Sequence, residues 1–248
     1  RVCAVLDRNN GNGDEAAALM ACLDGLPRLA PARLAHSFAP VLVLANIFEP
    51  ELCRNLVGYY ETHGGEPTGF MRDVDGRTVM VIDDQHKRRR DRDINDHALR
   101  QACMARVRTR LVPEIHKAFQ FKATRMERYI VSCYDGDEGG HFRPHRDNTT
   151  KGTAHRRFAV SLFLNSGDYE GGHLRFPEFG TALYTAPVGG AVVFSCSLLH
   201  EATPVTRGRR YMFLPFLYDE RARELRHKNL PFLVAKPAIE DPAARMKS

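Results

Sequence analysis

The sequence HFRPHRD, residues 141–147, places two histidines and an aspartate just after the glycine pair Gly139–Gly140. In a β-strand, residues i and i+2 point to the same face, so His145 and Asp147 would present an imidazole and a carboxylate to one point in space. Both groups are common ligands of divalent transition metals. The stretch therefore predicts two ligands of a metal site at the end of a strand.

A third ligand is predicted at the end of another strand. His200 follows the run VVFSCSLL, residues 192–199, which would carry it into the core. Two histidines and one carboxylate on one face of an octahedral ion leave three positions open, an arrangement that suits Fe(II) oxygenases. An HxD pair is frequent by chance, so the prediction depends on what else converges on the same place.

The second half of the chain is typical of a β-rich domain. From residue 125 onward, apolar residues alternate with polar ones or form short runs separated by Gly, Asp and Pro, which predicts the strands of a sandwich or barrel. These segments are RMERYIVSCY (125–134), RFAVSLFLN (157–165), GGHLRFPEF (171–179), GAVVFSCSLLH (190–200) and RRYMFLPFLYD (209–219).

Helices are predicted earlier in the chain, which makes the fold class α+β. The predicted helices are 13–26, 49–65 and 94–111, the last broken or bent before Pro113, and the apolar segment 41–48 is predicted to be a buried strand.

A buried arginine is predicted beside the metal ligands. Arg210 lies ten residues after His200, and strand alternation would let its guanidinium enter the same barrel. A buried arginine needs an anion, which a dicarboxylate co-substrate bound to the iron would supply. Tyr134, at the end of RYIVSCY, is a second hydrogen-bond donor from a neighbouring strand.

Taken together, these segments resemble the Fe(II)- and 2-oxoglutarate-dependent dioxygenases of the prolyl 4-hydroxylase type. The resemblance runs from about residue 40 to residue 219. Its carriers are CYDGDEGGHFRPHRD (133–147), RFAVSLFLN (157–165), GGHLRFPE (171–178), PVGGAVVF (187–194) and HEATPVTRGRRY (200–211). The resemblance implies a double-stranded β-helix, or jelly-roll, core with N-terminal flanking helices.

The resemblance also implies roles for individual residues. Iron would be held by His145, Asp147 and His200. The distal carboxylate of 2-oxoglutarate would be bound by Arg210 with help from Tyr134. Two apolar residues match positions that line the co-substrate pocket, namely Phe163 and Leu174.

The chemistry implied is hydroxylation of a C–H bond, with succinate and CO2 as co-products. The cofactor would be Fe(II), the co-substrates 2-oxoglutarate and O2, and ascorbate a candidate reductant. The hydroxylated group could belong to a protein residue, a free amino acid or a small metabolite, and the sequence does not choose among these.

Three alternatives use some of the same features. A nucleic-acid demethylase could be built on the same scaffold, and the net charge of +6 permits it, but the chain has no Trp and no basic run interleaved with aromatics. A non-catalytic sensor or interaction module would be expected to lose a ligand or the arginine. A cupin-like isomerase or hydrolase would not need Arg210 and Tyr134.

Composition indicates a globular protein of a reducing compartment. The six cysteines form no CxxC pair, so neither a disulfide framework nor a structural zinc is indicated, and a cytoplasmic location is expected. No apolar run approaches the length needed to span a bilayer.

The domain organisation is predicted as a tail, an oxygenase domain and a second tail. The oxygenase domain is expected over residues 36–235, with tails at 1–35 and 236–248. The stretch VCAVLDRNN (2–10) resembles the end of a redoxin-type domain, so the first tail is expected to be the remnant of such an upstream domain.

The segment 66–93 is predicted to be a long mobile loop around a strand formed by the short apolar run VMVI (79–82). It contains Gly69 and Gly76 and ends in the mixed charge tract DDQHKRRRDRD (83–93). Long loops in compact domains are often active-site lids. We therefore expect this loop to cover the site, with Arg88, Arg89 and Arg90 contacting the prime substrate, the alternative being a solvated surface loop.

Overall fold

The computed structural model of the chain describes residues 38–234, together with residues 20, 21, 24 and 25. The predicted tails, 1–35 and 236–248, and most of the helix predicted at 13–26 lie outside the described residues. Residues 38–234 belong to one compact unit. Within the described part of the chain, no helix has both the length and the hydropathy that a membrane crossing requires.

Helices occupy the first half of this unit and its end. They are α1 (Pro50–His63), α2 (His97–Arg106), α3 (Val112–Phe119) and α4 (Glu220–Asn229), with a π-helical segment at Val107–Leu111 and 3-10 turns at Pro177–Phe179 and Leu230–Phe232. Local chemistry fixes two of the starts, because the side chains of Asp96 and Asp219 accept hydrogen bonds from the backbone N–H groups of Leu99 and Ala222, each at 2.8 Å.

The helix predicted at 94–111 extends further than expected. The π-helical segment follows α2 without a break and leads directly into α3, which carries Pro113 in its first turn. The predicted break before Pro113 was therefore wrong, because the helical backbone continues through this residue. The predicted alternative was a bend, and the hydrogen-bond pattern does change from α-helical to π-helical just before Pro113.

The strands in residues 38–234 are short. They are β1 (Leu42–Leu44), β2 (Glu66–Pro67), β3 (Phe70–Val74), β4 (Arg77–Val81), β5 (Lys87–Arg88), β6 (Arg90–Asp93), β7 (Arg125–Glu127), β8 (Ile130–Asp135), β9 (His141–His145), β10 (Phe158–Phe163), β11 (Glu170–Gly171), β12 (Leu174–Arg175), β13 (Leu183–Tyr184), β14 (Ala191–Ser195), β15 (His200–Ala202), β16 (Val205–Arg207), β17 (Arg209–Phe213) and β18 (Phe216–Tyr218). The segments predicted as strands after residue 125 contain β7, β8, β10 to β12, β14, β17 and β18.

Two antiparallel sheets form the core. The larger sheet has the order β1-β14-β10-β17-β8-β6-β2, with β18 pairing to β10 and β7, and the smaller has the order β13-β12-β15-β9-β5. Two further ribbons, β3–β4 and β11–β16, stand beside them. The mixture of helices with a two-sheet β core agrees with the predicted fold class.

Strand alternation separates two apolar cores. On β8, Val131 and Cys133 contribute to the core shared with α1, α2 and α3, whereas Tyr134 belongs to the second core. That second core also contains Phe142 from β9 and Leu174 from β12, so it lies between the sheets. The inter-sheet space is therefore where side chains from both sheets meet.

The cysteines of the described residues are core residues. Cys53, Cys103, Cys133 and Cys196 are all buried and free. Burial raises the pKa of the Cys133 thiol to about 12, so this group stays protonated at neutral pH. Cys133 and Cys196 are therefore packing residues.

The segment 66–93 is not a loop. It contains β2 to β6, of which β3 and β4 form a hairpin, β5 joins the smaller sheet and β6 joins the larger one. The predicted strand at 79–82 corresponds to β4, but the prediction of a mobile loop around it was wrong, because β5 and β6 carry charged residues instead of an apolar pattern. Lys87, Arg89 and Asp91 are buried, while Arg88 and Arg90 lie outside, which is the alternation of a strand.

Gly189 holds the start of β14 against the segment before α1. Its carbonyl accepts hydrogen bonds from the N–H groups of Ile47 and Phe48, both at 2.9 Å. Its φ is +73°, and a Cβ there would lie 2.1 Å from the carbonyl oxygen of Phe48. A side chain at this position would therefore push the two segments apart.

We expect Gly189→Ala to lower the free energy of unfolding clearly more than Gly76→Ala. Gly76 has nearly the same φ, +76°, but a Cβ there meets no atom within 4 Å. Both changes carry the left-handed backbone cost of about 1–2 kcal/mol, and only Gly189→Ala adds a backbone clash. Urea denaturation of the two variants measures the difference, and equal losses would contradict the clash.

Candidate metal centre

The pairing of β9 with β15 brings the three predicted ligands together. His145 and His200 are Cα partners across this pair, and Asp147 follows β9 by two residues, with its N–H donating to the carbonyl of Cys196 at 3.0 Å. The potential ligand atoms of the three side chains all lie within 4.8 Å of one another. The Nε2 atoms of His145 and His200 lie 3.6 and 3.4 Å from the carboxylate oxygens of Asp147.

Hydrogen bonds select which imidazole nitrogen faces the centre. The Nδ1 atoms of His145 and His200 lie 2.8 and 3.0 Å from the carbonyl oxygens of Arg143 and Leu198. A carbonyl can only accept, so each Nδ1 carries the proton and each Nε2 keeps its lone pair for a metal. Phe142 stacks on the His145 ring, with centroids 3.4 Å apart, and fixes its plane.

Electrostatics keeps His200 and Asp147 in the form that binds a metal. Burial and the neighbouring His145 lower the pKa of His200 to about 4, so it is neutral at pH 7. Burial alone would raise the pKa of Asp147, but the adjacent His200 and His145 hold it below its usual range. Two imidazoles and one carboxylate are a donor set that fits Fe(II), with one face of the ion left open.

Arg210 lies in the pocket that contains these three residues. Its guanidinium carbon lies over the rings of Tyr134 and Phe163, 4.9 and 5.3 Å from their centroids. Arg210 is fully buried, its Nε has no hydrogen-bond partner, and no carboxylate of residues 38–234 forms an ion pair with it. A buried guanidinium without a counter-ion is costly, so this pocket is suited to an anion.

The backbone leaves room for that guanidinium. Gly172 has a φ of +63°, and a Cβ there would lie 2.7 Å from Cδ of Arg210. Leu174 lines the same pocket. A wider cleft of about 800 Å³ adjoins the pocket and shares His145 and Asp147 with it.

Comparison with known proteins finds a family similar to this segment. Residues 129–218 match the model of the 2OG-Fe(II) oxygenase superfamily. The matched residues include His145, Asp147, His200 and Arg210, so the match rests on the same segment that builds the centre.

Relatives agree with this match over part of their length. A PKHD-type hydroxylase of Pseudomonas fluorescens is 38% identical over 90 residues, which cover 33% of this chain and 39% of that protein. A PKHD-type hydroxylase of Synechococcus is 33% identical over 106 residues, covering 39% of this chain and 46% of the relative. The chain thus matches less than half the length of these relatives.

Solved structures share the fold of this chain. A prolyl hydroxylase from Trichoplax adhaerens, in complex with a peptide fragment of hypoxia inducible factor, superposes with a TM-score of 0.53 at 17% identity, covering 75% of this chain and 86% of that one. A Pseudomonas putida prolyl-4-hydroxylase gives 0.52 at 18% identity, covering 73% and 92%. The prolyl 4-hydroxylase-like resemblance and the jelly-roll core predicted from the sequence agree with these similarities in fold.

The three arginines predicted to form a lid do not all lie beside the cleft. Arg89 is buried in the wall shared by the pocket and the cleft, where it pairs with Asp91 at 2.8 Å. Arg88 and Arg90 face away from the cleft and contact Glu138, through its backbone carbonyl and its carboxylate respectively. These positions do not fit a lid of three arginines, because strand alternation points them to opposite faces.

Three further basic residues, His141, Arg156 and Arg157, form defined contacts. His141 lies within hydrogen-bond distance of the carbonyl oxygens of Gly139 and Gln85, at 2.8 and 3.2 Å, and so links β9 to the segment before β5. Arg156 pairs with Glu127 at 2.8 Å and lines the cleft. Arg157 donates to the carbonyl of Ala154.

Sequence reasoning missed a buried charged cluster next to the pocket. The Asp91 carboxylate accepts hydrogen bonds from Arg89 (2.8 Å), Arg128 (3.2 Å), Ser132 (2.6 Å) and Thr68 (2.8 Å). Burial would raise the pKa of Asp91, but Arg89 and the other nearby cations hold it well below the usual range. No local sequence signal reveals this cluster, because residues 87–92 are all charged and the buried ones do not differ in type from the exposed ones.

The cluster also reaches the co-substrate pocket. Arg89 Nη1 lies 3.3 Å from the hydroxyl oxygen of Tyr134. A guanidinium cannot accept a hydrogen bond, so Arg89 is the donor and the proton of Tyr134 remains free to bond another acceptor. Tyr134 therefore offers a donor beside Arg210.

We expect Asp91→Asn to lower the free energy of unfolding by about 3–5 kcal/mol, because it leaves buried arginine charges without a counter-ion. Asp93→Asn is the matched control, since Asp93 is exposed on the same strand, and should change stability by less than about 0.5 kcal/mol. Urea denaturation at pH 7 measures both. Similar small losses in the two variants would show that the cluster does not depend on this carboxylate.

Proposed function

We propose that the chain is an Fe(II)- and 2-oxoglutarate-dependent oxygenase that hydroxylates a C–H bond of a prime substrate and releases succinate and CO2. One observation carries the proposal: the uncompensated Arg210 guanidinium shares a pocket with the His145, Asp147 and His200 side chains. A metal triad alone would suit several reactions. A buried cation beside it calls for an anionic co-substrate that also binds the metal.

His145, Asp147 and His200 would hold the metal ion in this proposal. When bound, Fe(II) with 2-oxoglutarate and O2 supplies the oxidising chemistry, in which decarboxylation of 2-oxoglutarate accompanies transfer of one oxygen atom to the C–H bond. The chain's own contribution is to present three ligands on one face and to keep the His200 imidazole neutral. The hydrogen bonds from Nδ1 to backbone carbonyls hold both rings in place.

Arg210 and Tyr134 would bind the distal carboxylate of 2-oxoglutarate. The guanidinium offers parallel N–H donors, and the Tyr134 hydroxyl offers its proton because Arg89 occupies the oxygen as a donor. Phe163 supports the guanidinium, and Leu174 forms an apolar wall. These groups exclude water, which strengthens every charge interaction inside the pocket.

The prime substrate would enter through the adjoining cleft. A cleft of about 800 Å³ that reaches His145 and Asp147 is large enough for part of a peptide as well as for a small molecule. The Trichoplax neighbour was solved with a peptide, which makes a peptide residue one candidate here.

We also propose that the oxygenase domain spans 36–235 between tails at 1–35 and 236–248, that the protein is cytoplasmic, and that ascorbate serves as reductant.

We expect the purified protein to bind one Fe(II) and to convert 2-oxoglutarate to succinate only when iron is present. His145→Ala, Asp147→Ala and His200→Ala should each reduce metal content and abolish succinate formation while circular dichroism shows a folded protein. His173→Ala is the control, because His173 lies outside the pocket and the cleft. Metal analysis and succinate measurement decide this, and full turnover in His200→Ala would remove it from the ligand set.

We expect Arg210→Gln to weaken 2-oxoglutarate binding by a few hundred-fold or more, equivalent to about 3–5 kcal/mol for losing one partner of a buried charge pair. Iron binding should persist. Arg209→Gln is the matched control, since Arg209 is exposed on the same strand and pairs with Asp135. Calorimetric titration of 2-oxoglutarate into the Zn(II)-loaded protein reports affinity without turnover. Unchanged affinity in Arg210→Gln would place the anchor elsewhere.

A further inference from the structure

Two arginines stand where the metal pocket opens into the cleft. The guanidinium carbons of Arg128 and Arg156 both lie over the ring of Phe216, 5.5 and 4.0 Å from its centroid. Arg128 lines both the pocket and the cleft, Arg156 lines the cleft, and Phe216 lines the pocket. A substrate that reaches the metal from the cleft would therefore pass these two side chains.

Most N–H donors of Arg128 and Arg156 have no hydrogen-bond acceptor within residues 38–234. Each guanidinium carries five N–H groups. Within residues 38–234, Arg128 forms one hydrogen bond, from Nη2 to Asp91, and Arg156 forms one, from Nε to Glu127. Donors remain on both side chains, at the edge of a cleft large enough to admit a ligand.

The charge of Arg128 is only partly compensated. Asp91 is shared with Arg89, so one carboxylate serves two guanidiniums. Burial lowers the pKa of Arg128 to about 10, and the charge of Arg89 contributes to this shift, although Asp91 opposes it. Arg128 is still protonated at neutral pH, and a negative ligand nearby would relieve the excess positive charge.

The charge of Arg156 is also only partly compensated. Its partner, Glu127, also contacts His155 at 2.9 Å and Arg226 at 3.3 Å. One carboxylate therefore serves two guanidiniums and an imidazole. Arg156 lines the same cleft as Asp147, so its positive charge lies near the centre.

The backbone at Arg128 adds a separate observation. Its φ is +66°, in the left-handed region that favours glycine. A side chain there costs conformational free energy, and such residues cluster at ligand-binding sites, where the surrounding structure holds them. In this backbone conformation, the Arg128 side chain lies at the mouth of the pocket.

We propose that Arg128 and Arg156 bind a carboxylate of the prime substrate and so select acidic substrates. The proposal rests on the proposed function and deepens it. A carboxylate accepts parallel N–H bonds from a guanidinium fork, and it would offset the excess charge of both arginines at once. The carboxylate can come from a small acid or amino acid, or from an acidic residue in a peptide.

Matched acids and amides test this preference. The protein is loaded with Zn(II) and saturated with 2-oxoglutarate, so that Arg210 is occupied and no turnover occurs. One arm uses the N-acetyl amino acids and their carboxamides, and the other uses short peptides that differ only by Glu or Gln. Saturation-transfer NMR and calorimetry measure binding, and the arm that responds identifies the source of the carboxylate.

We expect at least one acid to bind roughly tenfold or more tightly than its amide, as for a hydrogen bond between charged groups. Arg128→Gln and Arg156→Gln should bring this ratio close to one. Arg125→Gln, an exposed arginine on β7 that pairs with Glu220, should leave it unchanged. Arg128→Lys, which keeps the charge, provides a second variant if Arg128→Gln unfolds on thermal analysis.

The experiment distinguishes failure of the carboxylate site from failure of the proposed function. If acids and amides bind equally, or if no acid binds more tightly in either arm while 2-oxoglutarate binds, the carboxylate site is wrong and the proposed function stands. If 2-oxoglutarate itself does not bind to the Zn(II)-loaded protein, the proposed function fails first. A preference for acids that persists in both the Arg128 and the Arg156 variants would also overturn the assignment.

Discussion

The register between β9 and β15 is the constraint on which the candidate centre depends. It sets His145 opposite His200, and Asp147 then follows at the end of β9. Because side chains alternate along a strand, a shift of one residue would turn the ligands of one strand to the wrong face. Phe142, which also belongs to the inter-sheet core, stacks on His145 and resists such a shift. Packing and metal geometry are thus controlled by the same pairing.

The larger sheet supplies the other half of the pocket by the same alternation. Arg210 and Tyr134 are Cα partners across β17 and β8, and both face the space between the sheets. Their neighbours Tyr211 and Cys133 face the helices instead and belong to the other core. Because their side chains alternate, β8 and β17 place the anion site on one face of the larger sheet and the helix-packing surface on the other.

The sequence predicts the centre better than its surroundings, for a physical reason. His200 and Arg210 lie at the end or on the inner face of apolar strands, so strand periodicity locates them, and His145 and Asp147 are located by the spacing of the HxD pair. The strands β5 and β6 have no such apolar pattern, because the residues they bury are charged. Their burial depends on partners far away in sequence, such as Arg128 and Ser132 on the segments that meet Asp91, and no local pattern specifies those. The same limit explains the helix after Pro113, whose continuation depends on packing against the large sheet.

The distance along the chain between the two strands that pair at the centre has a consequence for the lifetime of the protein. In the denatured ensemble only His145 and Asp147 stay neighbours, and His200 joins them after the long β9–β15 connection has closed. A divalent ion would therefore bind the native chain far more tightly than the denatured one and would stabilise it by mass action. Since proteases attack the open form, the supply of the metal would regulate how long the protein survives as well as how fast it works.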